Sequence, residues 1–177
     1  MKKFLISALA LVLAAALLLG ANWALSGIRE QNRAAELQSK LQTLLPGSKT
    51  FTEEGYTGSD ANIRTVYKGE TGFVISTVTY GYAGDIAMLI GVSSQGKVTG
   101  LTVRELSETL GLGANAMTDW EFLAQFLNTD GSAQVGSDVD ALTGATVTSK
   151  AVARSVASAV AFVTGADTDS SATPWEG

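Results

Sequence analysis

Between Lys3 and Arg29 the chain runs for 25 residues, Phe4 to Ile28 (FLISALALVLAAALLLGANWALSGI), without one charged side chain. An α-helix needs about 20 such residues to cross the hydrocarbon core of a bilayer, so the stretch reads as a transmembrane helix. Trp23 falls where interfacial aromatics fall. Lys2 and Lys3 precede the stretch, whereas Arg29, Glu30, Arg33 and Glu36 nearly cancel after it. The positive-inside bias then places the N-terminus in the cytoplasm and the rest of the chain beyond the cell (inner) membrane. The competing reading is a cleaved signal peptide, with Ala24 and Ser26 as the small residues ahead of Gly27. Against it, the apolar run exceeds the roughly 7–15 residues of a signal core. On either reading the remainder is exported.

Composition narrows the chemistry open to that remainder. It carries 10 basic against 17 acidic residues, which leaves no basic face to neutralise phosphates and excludes nucleic acid as a partner. The same balance keeps the exported part off anionic headgroups, so contact with membrane lipid is left to the apolar span. The 177 residues include no Cys and no His. Disulfides, thiolate metal sites and Cys nucleophiles are thereby excluded. So are Ser–His catalysis and any acid–base group of unperturbed pKa near neutrality. The chain is not catalytic alone, and reactive atoms must come from a bound group.

The expected organisation is a cytoplasmic N-terminus and transmembrane helix over 1–28, a juxtamembrane helix over 29–47, a domain over 48–164 and a flexible tail over 165–177. Ala34, Leu37, Leu41, Leu44 and Leu45 recur at helical spacing until Pro46-Gly47. Thr65–Tyr67, Phe73–Tyr80, Asp85–Val92 and Lys97–Leu106 read as strands, with Ser94-Gln95-Gly96 as a hairpin turn. Thr118 or Asp119 caps a helix to about Asn128, with Trp120, Phe122, Leu123, Phe126 and Leu127 as its apolar stripe. A last helix fits Ser149 to Thr164, with Val152, Val156, Ala159, Val160 and Val163 on its core face. The fold class is α+β: one N-terminal transmembrane helix, then a small antiparallel sheet packed with helices.

Two segments depart from ordinary scaffold. In Asp140-Ala-Leu-Thr143-Gly144-Ala145-Thr146-Val-Thr148-Ser149-Lys150-Ala-Val, four hydroxyl residues crowd the start of the last helix. Thr148 or Ser149 serves there as an N-cap, and Val147 is expected to point into the core. A helix start also presents N–H groups and a positive dipole end to a phosphate, which a hydroxyl at that place can esterify. The second segment runs from Gly81-Tyr82-Ala83-Gly84-Asp85-Ile86 through two strands to Glu108-Thr109-Leu110-Gly111-Leu112-Gly113. Its glycines suit either hairpin ends or a flat ligand against the main chain. Together the segments suggest a planar phosphorylated ligand.

DALTGATVTSKAV resembles the flavinylation motif of the FMN-binding domain family, an Asp followed by Ser/Thr-Gly-Ala-Ser/Thr-x-Thr. GYAGDI and SETLGLG resemble the upstream signature of that family, in the same order. One N-terminal span followed by one small exported domain is similar to the G subunits of Rnf-type ion-translocating electron-transport complexes. The C subunits of sodium-pumping quinone reductases are related, though usually longer. The resemblance implies FMN joined by a phosphoester to Thr148, attached by a separate ApbE-like flavin transferase that uses FAD and magnesium. It assigns Thr143, Gly144, Ala145 and Thr146 to the turn and the phosphate, and Asp140 to the leading acid. Glu108, Thr109, Gly111 and Leu112, with Gly81 and Tyr82, fall to the flavin-facing loops. Two departures stand out: Leu110 where relatives commonly have Pro, and Leu106 near a common His.

The implied function is single-electron relay in a chain from reduced ferredoxin to NAD, coupled to sodium or proton movement, with other membrane subunits of an Rnf-type complex as partners. The apolar span has no ionisable side chain and conducts no ion by itself. Two other readings stay open. One is a free-standing exported flavinylated electron carrier, and the other a non-redox anchored binding module in which TGATVT is only a helix cap.

Overall fold

A computed structural model describes residues 29–82, 84–106 and 119–166, together with Gly20 and Gly27. The expected transmembrane stretch therefore lies outside the described residues apart from those two glycines, as does the tail from 167 onward. Among the described residues no helix is long and apolar enough to cross a membrane. The chain divides into two units, Met1–Lys40 and Leu41–Gly177. Helix α1 covers 29–44, and its residues 29–40 belong to the first unit. There Lys40 Nζ lies 2.7 Å from Glu36 Oε1, one helical turn away.

The second unit is built on a five-stranded antiparallel meander in chain order: β1 (Thr52–Gly55), β2 (Ile63–Lys68), β3 (Gly72–Tyr80), β4 (Asp85–Ser93) and β5 (Val98–Leu106). The β-branched and aromatic runs form β2 to β5 as expected. The turn Ser94-Gln95-Gly96 closes the β4–β5 hairpin, with Gly96 at φ 77° and its N–H donating to the Ser93 carbonyl. Strand β1 escaped expectation because TEEG has no β-forming run. All four of its residues are exposed, and pairing with β2 alone holds it, Thr52 facing Lys68 and Gly55 facing Thr65.

Alternation along the strands divides the apolar residues between two faces. Ile75 of β3 and Ile86, Met88, Ile90 and Val92 of β4 join the main core with α2 (Trp120–Ala124) and α3 (Thr146–Thr164). The stretch around α2 inserts Phe122, Leu123 and Phe126, the two phenylalanine rings edge-to-face with centroids 5.4 Å apart. Asp119 caps α2, its carboxylate accepting from the N–H groups of Glu121 and Phe122. Regular helix ends at Ala124, short of the expected Asn128, which takes φ 63° as turns carry the chain back to β5. Trp120 is 67% exposed and leaves the apolar stripe assigned to it, because its place at the first turn directs it to solvent.

The opposite face is covered by the end of α1. Gly91 of β4 and Gly100 of β5 are direct register partners, and together they leave a bare strip of backbone. Leu44 lies on that strip, its carbonyl accepting from Thr99 Oγ1 at 2.6 Å. Leu41, Leu44 and Leu45 are buried there.

The loop after α1 is tied to the β2–β3 turn by Glu70, whose carboxylate accepts from the Lys49 N–H at 3.0 Å and the Thr50 hydroxyl at 2.9 Å. These bonds hold the Glu70 carboxyl below its ordinary range, the Lys49 N–H contributing most. A depressed folded pKa stabilises the fold above the unfolded pKa, and that contribution disappears as pH falls through the folded value. Thermal melts of wild type and Glu70→Gln should therefore differ near neutrality and converge as pH drops below the carboxylate range. A gap that persists in acid would show that the bonds survive protonation.

Candidate functional site

The crossing of α3 over β3 and β4 positions the site. Thr79 on β3 donates to the Ala151 carbonyl at 3.1 Å and shares a hydrogen bond of 2.9 Å with Ser155, both groups buried. Asn62, just before β2, donates to Ser158 at 3.1 Å. Because buried polar groups require partners, the pairs fix the small residues Ala151, Ser155 and Ser158 of α3 against β3 and β2. Beyond Tyr80 the chain turns back into β4, the Gly81 N–H donating to the Gly84 carbonyl at 2.8 Å.

The last helix starts three residues earlier than expected, at Thr146 rather than Ser149. Its N-cap is Ala145, which contributes no side-chain hydrogen bond, so neither Thr148 nor Ser149 is the cap. Ser149 instead staples the preceding turn: its hydroxyl accepts from the Leu142 N–H at 3.2 Å and donates to the Ala145 carbonyl at 3.0 Å. The turn itself closes through the Ala145 N–H and the Leu142 carbonyl, with Gly144 at φ 77° in the third position, where positive φ is required. Asp140 is exposed, and its N–H donates to Gln125 Oε1 at 2.8 Å.

A partly open cavity of about 540 Å3 lies where α3 meets the β3 end, lined by Asn62, Thr79, Tyr80, Gly81, Tyr82, Val147 and Arg154. Its volume falls within the roughly 300–1,000 Å3 of small-molecule clefts. Val147 faces this cavity instead of entering the core, a correction that follows from the earlier helix start. Advancing the first turn rotates Thr148 and Ser149 inward, to 1% and 0% exposure, and leaves Val147 half-buried. Arg154 donates from Nη2 to the Tyr80 carbonyl at 3.1 Å, which holds its guanidinium at the cavity wall.

The structure thus brings Gly81 and Tyr82 to one cavity, with Tyr82 77% exposed at its wall. Thr143, Gly144 and Thr146 are exposed and Ala145 is buried in the turn that leads into α3. None of these residues, nor Asp140 or Thr148, is among those that line the cavity. Glu108, Thr109, Gly111 and Leu112 lie outside the described residues, as does Leu110. Asn62, Thr79 and Arg154 were not singled out in the sequence. For Arg154 a signal existed: it follows Val147 by seven residues, two helical turns on the same face. For Asn62 and Thr79 there was none, because only the sheet register brings them to α3.

The FMN-binding domain family model matches residues 81–161. The G subunit of the Na(+)-translocating ferredoxin:NAD(+) oxidoreductase complex of Acetobacterium woodii is 38% identical over 94 residues, 48% of this chain and 45% of that protein. The G subunit of the proton-translocating ferredoxin:NAD(+) oxidoreductase complex of Clostridium ljungdahlii is 38% identical over 99 residues, 52% of this chain and 53% of its own. The G subunit of the ion-translocating oxidoreductase complex of Methanosarcina acetivorans is 35% identical over 147 residues, 74% of this chain and 77% of its own. The chain spans about half the length of the first two relatives and about three-quarters of the third.

Proposed function

This chain belongs to the FMN-binding domain family, that of the G subunits of ion-translocating oxidoreductase complexes, and on that premise we propose that it is a covalently flavinylated electron-transfer component of an Rnf-type complex. In this reading the apolar residues 4–28 anchor it in the cell membrane with the N-terminus cytoplasmic. The domain from 48 to 164 then carries FMN outside, as a phosphoester of Thr148 made by an ApbE-like transferase. The other membrane subunits of the complex supply and remove electrons, between ferredoxin and NAD, with ion translocation as the coupled step.

The observation that carries this reading is the placement of the DALTGATVTSKAV segment. It forms the turn and first turns of α3, and Val147, next to the acceptor, stands in the wall of a ligand-sized cavity. Several of the residues present suit the group, while Thr148 itself is buried and is not among those that line the cavity. The N-cap Ala145 makes no side-chain cap hydrogen bond, and the positive end of a helix favours an anion such as the FMN phosphate. Val147 and Tyr82 offer an apolar and an aromatic wall to a flat ring. Ser149 and Gly144 hold the turn, which fixes where Thr148 stands. When bound, the flavin supplies the redox chemistry; the chain supplies position, electrostatics and permanent occupancy. Permanence matters outside the cell, where a dissociated cofactor is diluted away.

The test is production of the full chain with and without a flavin transferase, followed by intact-protein mass and in-gel fluorescence under ultraviolet light after denaturation. The expected result is the FMN mass increment and a fluorescent band only with the transferase. Colourless protein weighing only its amino acids overturns the reading. Co-purification of the other members of the complex from detergent-solubilised membranes checks the assembly, and a flavinylated chain found alone favours a free-standing carrier.

A further inference from the structure

Thr148, the residue to be esterified, is 1% exposed in the first turn of α3, while Thr146 and Lys150 on either side of it are exposed. The whole residue is enclosed and not its hydroxyl alone, so rotation about χ1 does not bring the oxygen to the surface. Ester formation needs that oxygen in the open. It attacks the flavin-bearing phosphorus of FAD: the new O–P bond forms, the bond from that phosphorus to the bridging pyrophosphate oxygen breaks, AMP leaves, and the hydroxyl proton passes to a base of the transferase. The resulting phosphodiester carries a negative charge, and a site closed around a threonine takes up such a charge only at a large desolvation cost.

Resting on the flavin reading above, we infer that the start of α3 is a latch that opens to present Thr148 to the transferase and that Ser149 holds shut. The N-cap Ala145 makes no side-chain cap hydrogen bond, and alanine is among the poorest residues at that position. Ser149, 0% exposed, closes the turn instead, accepting from the Leu142 N–H at 3.2 Å and donating to the Ala145 carbonyl at 3.0 Å. Two backbone bonds of 2.9 Å run beside these, Ala145 N–H to the Leu142 carbonyl and Ser149 N–H to the Ala145 carbonyl. All four bonds join Leu142, Ala145 and Ser149 to one another, so they break together. The rest of the helix is held separately, by Thr79 at Ala151 and Ser155 and by Asn62 at Ser158. Thr148 lies inside the latched segment and ahead of the first anchored residue, Ala151. A segment tied only to itself opens without unfolding the domain. Attachment then proceeds at a rate scaled by the open fraction, and the ester keeps the latch from closing again over Thr148.

The test uses the full chain, Ser149→Ala and Gly100→Ala, each produced without transferase. Hydrogen exchange of the unmodified proteins reports opening at the amides of residues 145 and 149. Limiting transferase, FAD and magnesium are then added, and the initial rate of the FMN mass increment is followed. Alanine fits the space of Ser149 and removes only the hydroxyl, so in Ser149→Ala exchange at both amides and the attachment rate should rise together, about fivefold. Gly100→Ala loosens the opposite face of the sheet, under Leu44, and should leave both quantities at the wild-type values. Exchange that quickens in Ser149→Ala with an unchanged or slower attachment rate overturns the inference, because the staple would then position the acceptor and not gate it. Unchanged exchange in that variant overturns it as well. So does attachment that quickens equally in Gly100→Ala, since opening would then be global. Wild type that gains no increment, or carries it on Thr146 by peptide mapping, is the separate failure of the underlying reading.

Discussion

In Thr148→Val, produced alongside the transferase, the FMN increment disappears from the intact mass and the denatured band no longer fluoresces, while the domain stays folded. Valine keeps the shape of threonine and removes only the hydroxyl. Position 148 is 1% exposed and lies within the first turn of α3, so an apolar replacement is compatible with its surroundings. Thr148 is not the N-cap, and no cap is lost. The cost is confined to a hydrogen bond left unmade, about 1–3 kcal/mol, against the roughly 5–15 kcal/mol by which such domains are stable. Thr146→Val is the companion variant. Thr146 is exposed at the first helical position and is the more accessible hydroxyl, so the pair separates an acceptor chosen by motif position from one chosen by access. The mass increment should survive in Thr146→Val. If it survives in Thr148→Val and is lost in Thr146→Val, the acceptor is the exposed residue.

The largest loss of stability is expected at Gly91, far from the motif. A Cβ built there collides with the Leu44 carbonyl oxygen and stands 2.7 Å from both the Leu44 carbonyl carbon and Thr99 Oγ1. The obstacle is backbone, and backbone cannot rotate away as a side-chain tip can. Relief requires lifting the end of α1 from the sheet, which breaks the Thr99–Leu44 hydrogen bond of 2.6 Å and uncovers Leu41, Leu44 and Leu45. Overpacking alone costs about 1–3 kcal/mol, and the uncovered leucines add to it, so Gly91→Val should lose on the order of 4 kcal/mol in urea denaturation. Hydrogen exchange should accelerate at residues 41–48. Gly100→Ala should be milder, since its Cβ meets Leu44 atoms at 3.0 Å. Equal stability of Gly91→Val and wild type would mean that α1 does not rest on this strip.

Local pattern reaches far in the sheet. FVISTVTY and DIAMLIGV declare strands because they are short runs rich in β-branched, aromatic and apolar residues set between glycines, and the hairpin between β4 and β5 is written in Ser94-Gln95-Gly96. The α3 core stripe follows from a 3.6-residue period in the same way. Strand β1 was hidden, because TEEG is held by the register of its neighbour and by nothing of its own.

What the chain's order of residues determined by itself is therefore the antiparallel sheet from β2 to β5, the last helix and the motif that opens it, all of which depend on neighbours within a few positions. The tertiary structure alone decided where that helix starts. With Ala145 as the cap, Thr148 turns inward and Val147 outward, an outcome that the packing of Ala151, Ser155 and Ser158 against β3 and β2 dictates. It also decided that Arg154 meets the end of β3 and that Gly91 and Gly100 form a seat for Leu44. Those contacts join residues more than forty positions apart. Such pairs exist only once the sheet has set its register, and no periodicity within either partner encodes them.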